Sequence, residues 1–194
     1  MDSRFAGMTR FGCLVHMVFG PLKIRIYGDP CLEAKSKAVK EVGPVERMLI
    51  AAMFETMIAY KGVGLAAPQV GVNEQIFVVD TGKEVFAAIN PKIIKAVGTD
   101  VMEEGCLSIP RVHVDVKRAK NVWVEFTDQE NRQVRAQLNG LVARVFLHEY
   151  DHLQGRLILD YLPPKERSRI ISQMKKGMYT GNVLGDDDDH TRKI

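Results

Sequence analysis

The sequence predicts an α+β fold: mixed or antiparallel β-sheets packed around a buried central helix that carries H-E-x-x-H, plus a C-terminal helix. Three observations carry this. Segments of two-residue alternation cluster between residues 75 and 138 without βαβ alternation. A run at 141–153 is apolar on nearly every side, which marks a helix that lies inside the protein. Before this block Val45–Tyr60 repeats at three to four residues and reads as a helix, and after it Lys165–Met178 reads as a surface helix. A chain of 194 residues with 46% hydrophobic and 26% charged side chains suits one domain with a real core and excludes a disordered chain.

Residues 1–20 show no clear period and read as a poorly ordered N-terminal extension, with Met17 as an alternative start. Neither a signal-peptide core nor a cleavage site is clear there, and organelle targeting is the other reading. The longest charge-free apolar run, Phe11–Leu22, is too short to cross a bilayer, so no membrane association is expected. Residues 21–178 then form one domain, and 179–194 an acidic tail with Asp186–Asp189.

Val45–Tyr60 reads as an amphipathic helix buried through Val45, Leu49, Met53, Met57 and Tyr60. Pro44 suits its first turn, and Gly62 or Gly64 its end. Its methionines read as core filler and not as thioether ligands. Gln75–Asp80 and Val85–Ile89 read as strands joined at Thr81-Gly82. Val112–Lys117, Val122–Phe126 and Gln133–Leu138 alternate, and Asp128–Arg132 reads as a hairpin loop between the last two. Leu141–Leu153 is opened by Asn139 as a cap and closed by Gly155. Lys165–Met178, after Pro163-Pro164, reads as a surface helix.

Three cysteines without C-x-x-C argue against a disulfide framework and for a reducing compartment, hence the cytoplasm. A net charge of +3 predicts no direct nucleic-acid specificity.

The chemistry begins at His148-Glu149-Tyr150-Asp151-His152. Positions i and i+4 share a helix face, so both imidazoles can bind one ion, with Glu149 near a water on it. Two hydrogen-bonded core histidines would be the bland alternative, but three ionisable groups in a helix built for burial need compensation, which a metal provides. A third ligand is open on spacing alone. A metzincin would need histidine at Ile158, a thermolysin-like enzyme a downstream glutamate such as Glu166, and Cys106 upstream could supply a thiolate. Gly105 and Pro110 predict a bent, non-regular segment around Cys106. Gly62-Val63-Gly64-Leu65-Ala66-Ala67-Pro68-Gln69-Val70-Gly71 offers close backbone approach to a ligand, or else a plain helix stop and turn. It lacks the lysine and hydroxyl residue of a phosphate loop.

Together GVGLAAPQVG (62–71), EGCLSIP (104–110) and HEYDHLQG (148–155), in that order, resemble the peptide deformylase family. The likeness runs from about Ile24 to Tyr161. The extension and the acidic tail depart from the family and bear on localisation alone. The resemblance implies that residues 21–178 are a catalytic domain and that Cys106, His148 and His152 hold one divalent metal. Fe²⁺ is implied as the native ion, with Zn²⁺, Ni²⁺ or Co²⁺ able to substitute. It implies attack of a metal-bound water on the formyl carbon of a formylmethionyl nascent peptide, with Glu149 as general base and then acid. Gln69 and the Leu107 backbone N–H would stabilise the oxyanion, releasing formate. A thiolate ligand also favours Fe²⁺ or Zn²⁺ over Mg²⁺ on softness alone.

An apolar pocket for the methionine side chain is expected from Val63, Leu141 and Val145, with Gly64 bonding the peptide backbone. Arg144 reads as either exposed or pocket-facing. Glu104 and Asp151 read either as groups that orient ligands or as ion-pair partners of Arg118. The ribosome surface is a candidate partner through Lys165, Arg167, Arg169, Lys175 and Lys176, against a plain solvated helix face. Two other classes compete: a general H-E-x-x-H peptidase, which should tolerate loss of Cys106, and a non-catalytic metal-binding module, against which Glu149 argues.

Overall fold

A computed structural model describes residues 21–176. The readings of 1–20 as an extension, of 177–178 as helix and of 179–194 as a tail lie outside the described residues. Among the described residues the strands are β1 (Gly64–Ala66), β2 (Ile76–Asp80), β3 (Val85–Val97), β4 (Asp100–Cys106), β5 (Ile109–Arg118), β6 (Asn121–Thr127) and β7 (Gln133–Asn139). The helices are α1 (Pro44–Ala59), α2 (Gly140–Leu153) and α3 (Pro164–Lys175). Strands β1-β2-β3-β6-β7 form one sheet in that order, and β4-β5 a second. Every strand pair is antiparallel; parallel pairing is confined to an isolated bridge between Lys37 and Glu74. The fold is α+β as expected.

Strand β2 shows how the large sheet is buried on both sides. Phe77 and Val79 face one core with Phe86, Val124 and Phe126 and with Val145 and Phe146 of α2. Ile76 and Val78 face the other core with Ile50, Met53 and Met57 of α1. Period-two alternation of apolar residues on both faces makes the strand read as a continuous apolar run. The Phe77 and Phe146 rings meet edge-to-face at 5.0 Å, which locks α2 onto the sheet. A third core joins Val112, Val114 and Val116 of β5 to Leu157, Ile158, Leu159 and Ile170.

Several expectations need correction. Val45 is 73% exposed and outside the core. It fits the spacing, but the buried stripe of α1 runs through Ile50, Met53, Thr56 and Met57. Lys61, at φ 56°, and neither Gly62 nor Gly64, takes the left-handed position after α1. Asn139 sits at the N-cap of α2 but makes no capping bond with its side chain. The turn into α2 instead needs Gly140, at φ 56°. Strand β3 continues eight residues past Ile89, because a register shift between Ile89 and Lys92 lets it pass Pro91. Glu104–Pro110 is strand on both sides of a tight turn, and its irregularity is local: the register shifts between Glu104 and Cys106, at Gly105, Cys106 then pairs with Ile109, and Leu107-Ser108 turn. Pro44 does open α1, Thr81-Gly82 does join β2 to β3, and Gly155 does follow α2.

No helix among the described residues is long and apolar enough to cross a membrane.

Candidate metal centre and active site

Three elements converge. Strand β4 delivers Glu104 and Cys106, α2 delivers His148, Glu149 and His152, and the 3-10 turn Ala67–Val70 delivers Gln69. An N-terminal strap ties two of them together: the Arg25 N–H donates to the Gln69 carbonyl at 2.7 Å and the Tyr27 N–H to the Ser108 carbonyl at 2.8 Å.

Cys106, His148 and His152 are buried, and their donor atoms lie within 4.8 Å of one another. Cys106 Sγ is 3.3 Å from His152 Nε2. His148 Nδ1 is 3.1 Å from Glu104 Oε2. Glu104 also accepts from Arg118 Nε at 2.6 Å and Nη2 at 2.9 Å, and from Arg144 Nη1 at 2.6 Å. Burial alone would raise the Glu104 carboxyl, but hydrogen bonds from His148 and Arg118 hold it down at about 2. An ionised Glu104 can only accept, so Nδ1 of His148 carries its proton. The other ring nitrogen, Nε2, is buried with no hydrogen-bond partner. An orphaned imidazole nitrogen facing a thiol and a second imidazole is a donor set fit for a soft or borderline divalent ion. Burial pushes the Cys106 thiol up to about 12 without an ion. Burial likewise holds His152 well below the usual imidazole value, hence neutral and able to ligate.

Glu149 is fully buried, and both its carboxylate oxygens lack a hydrogen-bond partner. Burial raises its carboxyl well above the usual range; Arg118 opposes this, while Glu104 and Asp151 add to it. A carboxyl raised in this way holds a proton more readily than an exposed one, as a proton carrier must. Gly64 lies against it: a Cβ there would sit 2.9 Å from Glu149 Cδ and 2.8 Å from Val145 Cγ1.

Gln69 is buried and oriented. Its Oε1 accepts from the Ala66 N–H at 2.7 Å, which turns Nε2 toward Ser108 Oγ at 3.3 Å and Cys106 Sγ at 3.6 Å. Leu107 is buried beside Cys106. Of the expected pocket residues, Val63, Gly64 and Val145 are buried, whereas Leu141 is 44% exposed at the start of α2.

Arg144, left ambiguous by the sequence, is buried. It bonds Glu104, the Val116 carbonyl at 3.0 Å and the Asp100 carbonyl at 3.1 Å. For Glu104 the two alternatives merge, since it both orients His148 and pairs with Arg118. Asp151 Oδ2 pairs with Arg118 Nη1 at 2.8 Å and accepts from Tyr161 Oη at 2.6 Å. The sequence reading missed Tyr161. Its only signal was a position at the end of the recognisable stretch.

Residues 21–168 match the family model described as Polypeptide deformylase. A peptide deformylase of Pseudothermotoga lettingae is 49% identical over 154 residues, covering 78% of this chain and 89% of that protein. One of Thermotoga neapolitana is 44% identical over 146 residues, covering 75% and 89%. The crystal structure of the Thermotoga maritima peptide deformylase superposes with a TM-score of 0.73 at 43% identity, covering 75% of this chain and all of that one.

Proposed function

Because this chain belongs to the polypeptide deformylase family, as a hydrolase that removes formyl groups from nascent peptides, we propose that it does so with Glu149 as its proton carrier beside a Cys106, His148, His152 metal site. The supporting observation is the convergence of those three buried donors, one an orphaned His148 Nε2, next to the unpartnered carboxylate of Glu149. Cys106, His148 and His152 would hold a divalent ion there, which would supply Lewis acidity to a water and to the formyl oxygen. Fe²⁺ is the proposed native ion, with Zn²⁺, Ni²⁺ or Co²⁺ as substitutes.

Glu149 takes the proton of the attacking water at a carboxylate oxygen and returns it to the departing amine nitrogen, so formate and a free methionyl amine leave together. Its burial keeps solvent from competing for that proton. Gln69 Nε2, already aimed by the bond from Ala66 to Oε1, donates to the oxygen that gains charge, and the Leu107 N–H is the second donor. Val63 and Val145, with Leu141 at the open side, take the methionine side chain, and the backbone at Gly64 pairs with the peptide. Exposed Lys165, Lys175 and Lys176 on and after α3 are the proposed ribosome-facing cations. Arg167 is engaged by Asp160 at 2.8 Å and Arg169 by Glu166 at 4.0 Å. Action on nascent chains places the protein in a translating compartment, here proposed as the cytoplasm.

The test is formate release from a formyl-Met-Ala-Ser peptide by anaerobically purified protein, with Glu149→Gln beside it and metal content measured for both. Formate from the wild type alone, at equal metal content, is the expected outcome. Equal rates would remove Glu149 from its role, and no formate from the fully metallated wild type would remove the activity.

A further inference from the structure

We propose that Arg118, Asp151 and Tyr161 form a clamp that sets how firmly the Cys106, His148, His152 site retains its ion, with Tyr161 as a positioning residue at its outer end. The inference rests on the reading of those three residues as a metal site. The ligands come from two separate elements, Cys106 from β4 and both histidines from α2. Something must fix the spacing between them.

One buried guanidinium does so. Arg118 Nε and Nη2 grip Glu104 in a bidentate fork at 2.6 and 2.9 Å, while Nη1 reaches Asp151 Oδ2 at 2.8 Å. Glu104 stands two residues before Cys106. Asp151 lies three residues after His148 and immediately before His152. A single rigid plane therefore spans from the thiol strand to the histidine helix. Glu104 extends the span by accepting from His148 Nδ1.

Tyr161 closes the outer end. Its hydroxyl donates to the same Asp151 Oδ2 at 2.6 Å, and its ring lies under the guanidinium, 5.1 Å from Arg118 Cζ to the centroid. Without the hydroxyl, Asp151 keeps Arg118 and a distant contact from Arg156 Nη1 at 3.9 Å, and its carboxylate is free to rotate about Cβ. The hydroxyl of Tyr161 hydrogen-bonds with Asp151 and Arg118 and not with a proposed ligand, so its effect falls on ion retention and not on proton transfer. Groups that hold a ligand through its hydrogen-bonded partner typically alter metal affinity about 10- to 100-fold. Tyr161 is further removed, and a change of about five- to tenfold is expected.

The experiment loads the full chain with Co²⁺ and follows its removal by excess EDTA through visible absorption. Wild type, Tyr161→Phe and Arg167→Ala are compared. Arg167 pairs with Asp160 in the same turn, so its loss loosens that turn without touching the clamp. The expected result is faster Co²⁺ release from Tyr161→Phe, with the wild-type rate in Arg167→Ala. Wild-type release from Tyr161→Phe overturns the clamp, as does equal acceleration in both variants, which would mark general loosening. Failure of the wild type to take up Co²⁺ overturns the metal-site reading itself, and the clamp with it. Should Tyr161→Phe fail to fold, Asp151→Asn carries the same test, with a larger acceleration expected because a charge is lost.

Discussion

Replacing Gly64 with alanine tests the proposed chemistry through a single methyl group. The new Cβ would stand 2.9 Å from Glu149 Cδ and 2.8 Å from Val145 Cγ1, and nearer still to Glu149 Oε1. Comfortable carbon contacts lie at about 3.5–4.0 Å, so the carboxylate must retreat by about 0.6–1.1 Å. Val145 is β-branched with a single stiff χ1, whereas Glu149 has three side-chain torsions and also takes the shortest contact, so the displacement falls chiefly on Glu149. A shift of about 1 Å in a reacting group costs about 10²-fold in rate. The assay is steady-state formate release with metal content measured on each preparation. A fall in kcat of about 10²-fold at unchanged metal content is expected if Glu149 carries the proton. Gly62→Ala is the matched control, because its Cβ meets chiefly side-chain atoms, Leu107 Cδ1 at 3.0 Å and Met57 Cγ at 3.3 Å, and the Gly64 carbonyl at 3.3 Å. A Gly64→Ala enzyme within about threefold of wild type, fully metallated, would refute the reasoning.

Three further outcomes follow from the same groups. Glu104→Gln leaves Arg118 and Arg144 without their shared carboxylate, and breaking such a buried pair costs about 3–5 kcal/mol, read as a lower denaturation midpoint at pH 7. The folded Glu104 carboxyl sits at about 2, below its ordinary 4.5, so its contribution is complete above that ordinary value and is lost as pH falls toward 2. Urea midpoints measured from neutral to acid pH should therefore fall less steeply for Glu104→Gln; parallel curves would contradict the assignment. With the Cys106 thiol near 12 before metal arrives, ligation as thiolate must expel its proton, so calorimetry in buffers of differing ionisation enthalpy should show at least one proton released per ion at pH 7. Release of none would exclude thiolate ligation.

What the sequence revealed and concealed divides by range. The H-E-x-x-H arrangement is legible because i and i+4 must share a helix face, a property of the five consecutive residues His148–His152 within one helix. Strand β2 and the β6–β7 hairpin are legible for a similar reason, since alternation is local and its turn chemistry explicit. The errors arise where a neighbour overrides the local pattern. Pro91 ends a strand in any local reading, yet pairing of β3 with β6 tolerates it through a bulge. Gly105 and Pro110 read as breakers, yet β4 and β5 carry the pairing past them to the Cys106–Ile109 pair through a register shift between Glu104 and Cys106. The site shows the same division more sharply. Its candidate ligands lie in recognisable motifs, as do Glu104 and Asp151, but the arginines that tie these carboxylates together do not: Arg118 reaches Glu104 across 14 residues and Asp151 across 33, and Arg144 reaches Glu104 across 40. Arg118 keeps step with Val112, Val114 and Val116 on the buried face of β5, so the alternation itself turns it inward, although an arginine by residue type reads as solvent-facing. There its charge is tolerated because two carboxylates meet it, and burial of either carboxylate would be costly without it. The donor set is thus written in the local sequence, while its preorganisation emerges only once the chain has closed on itself.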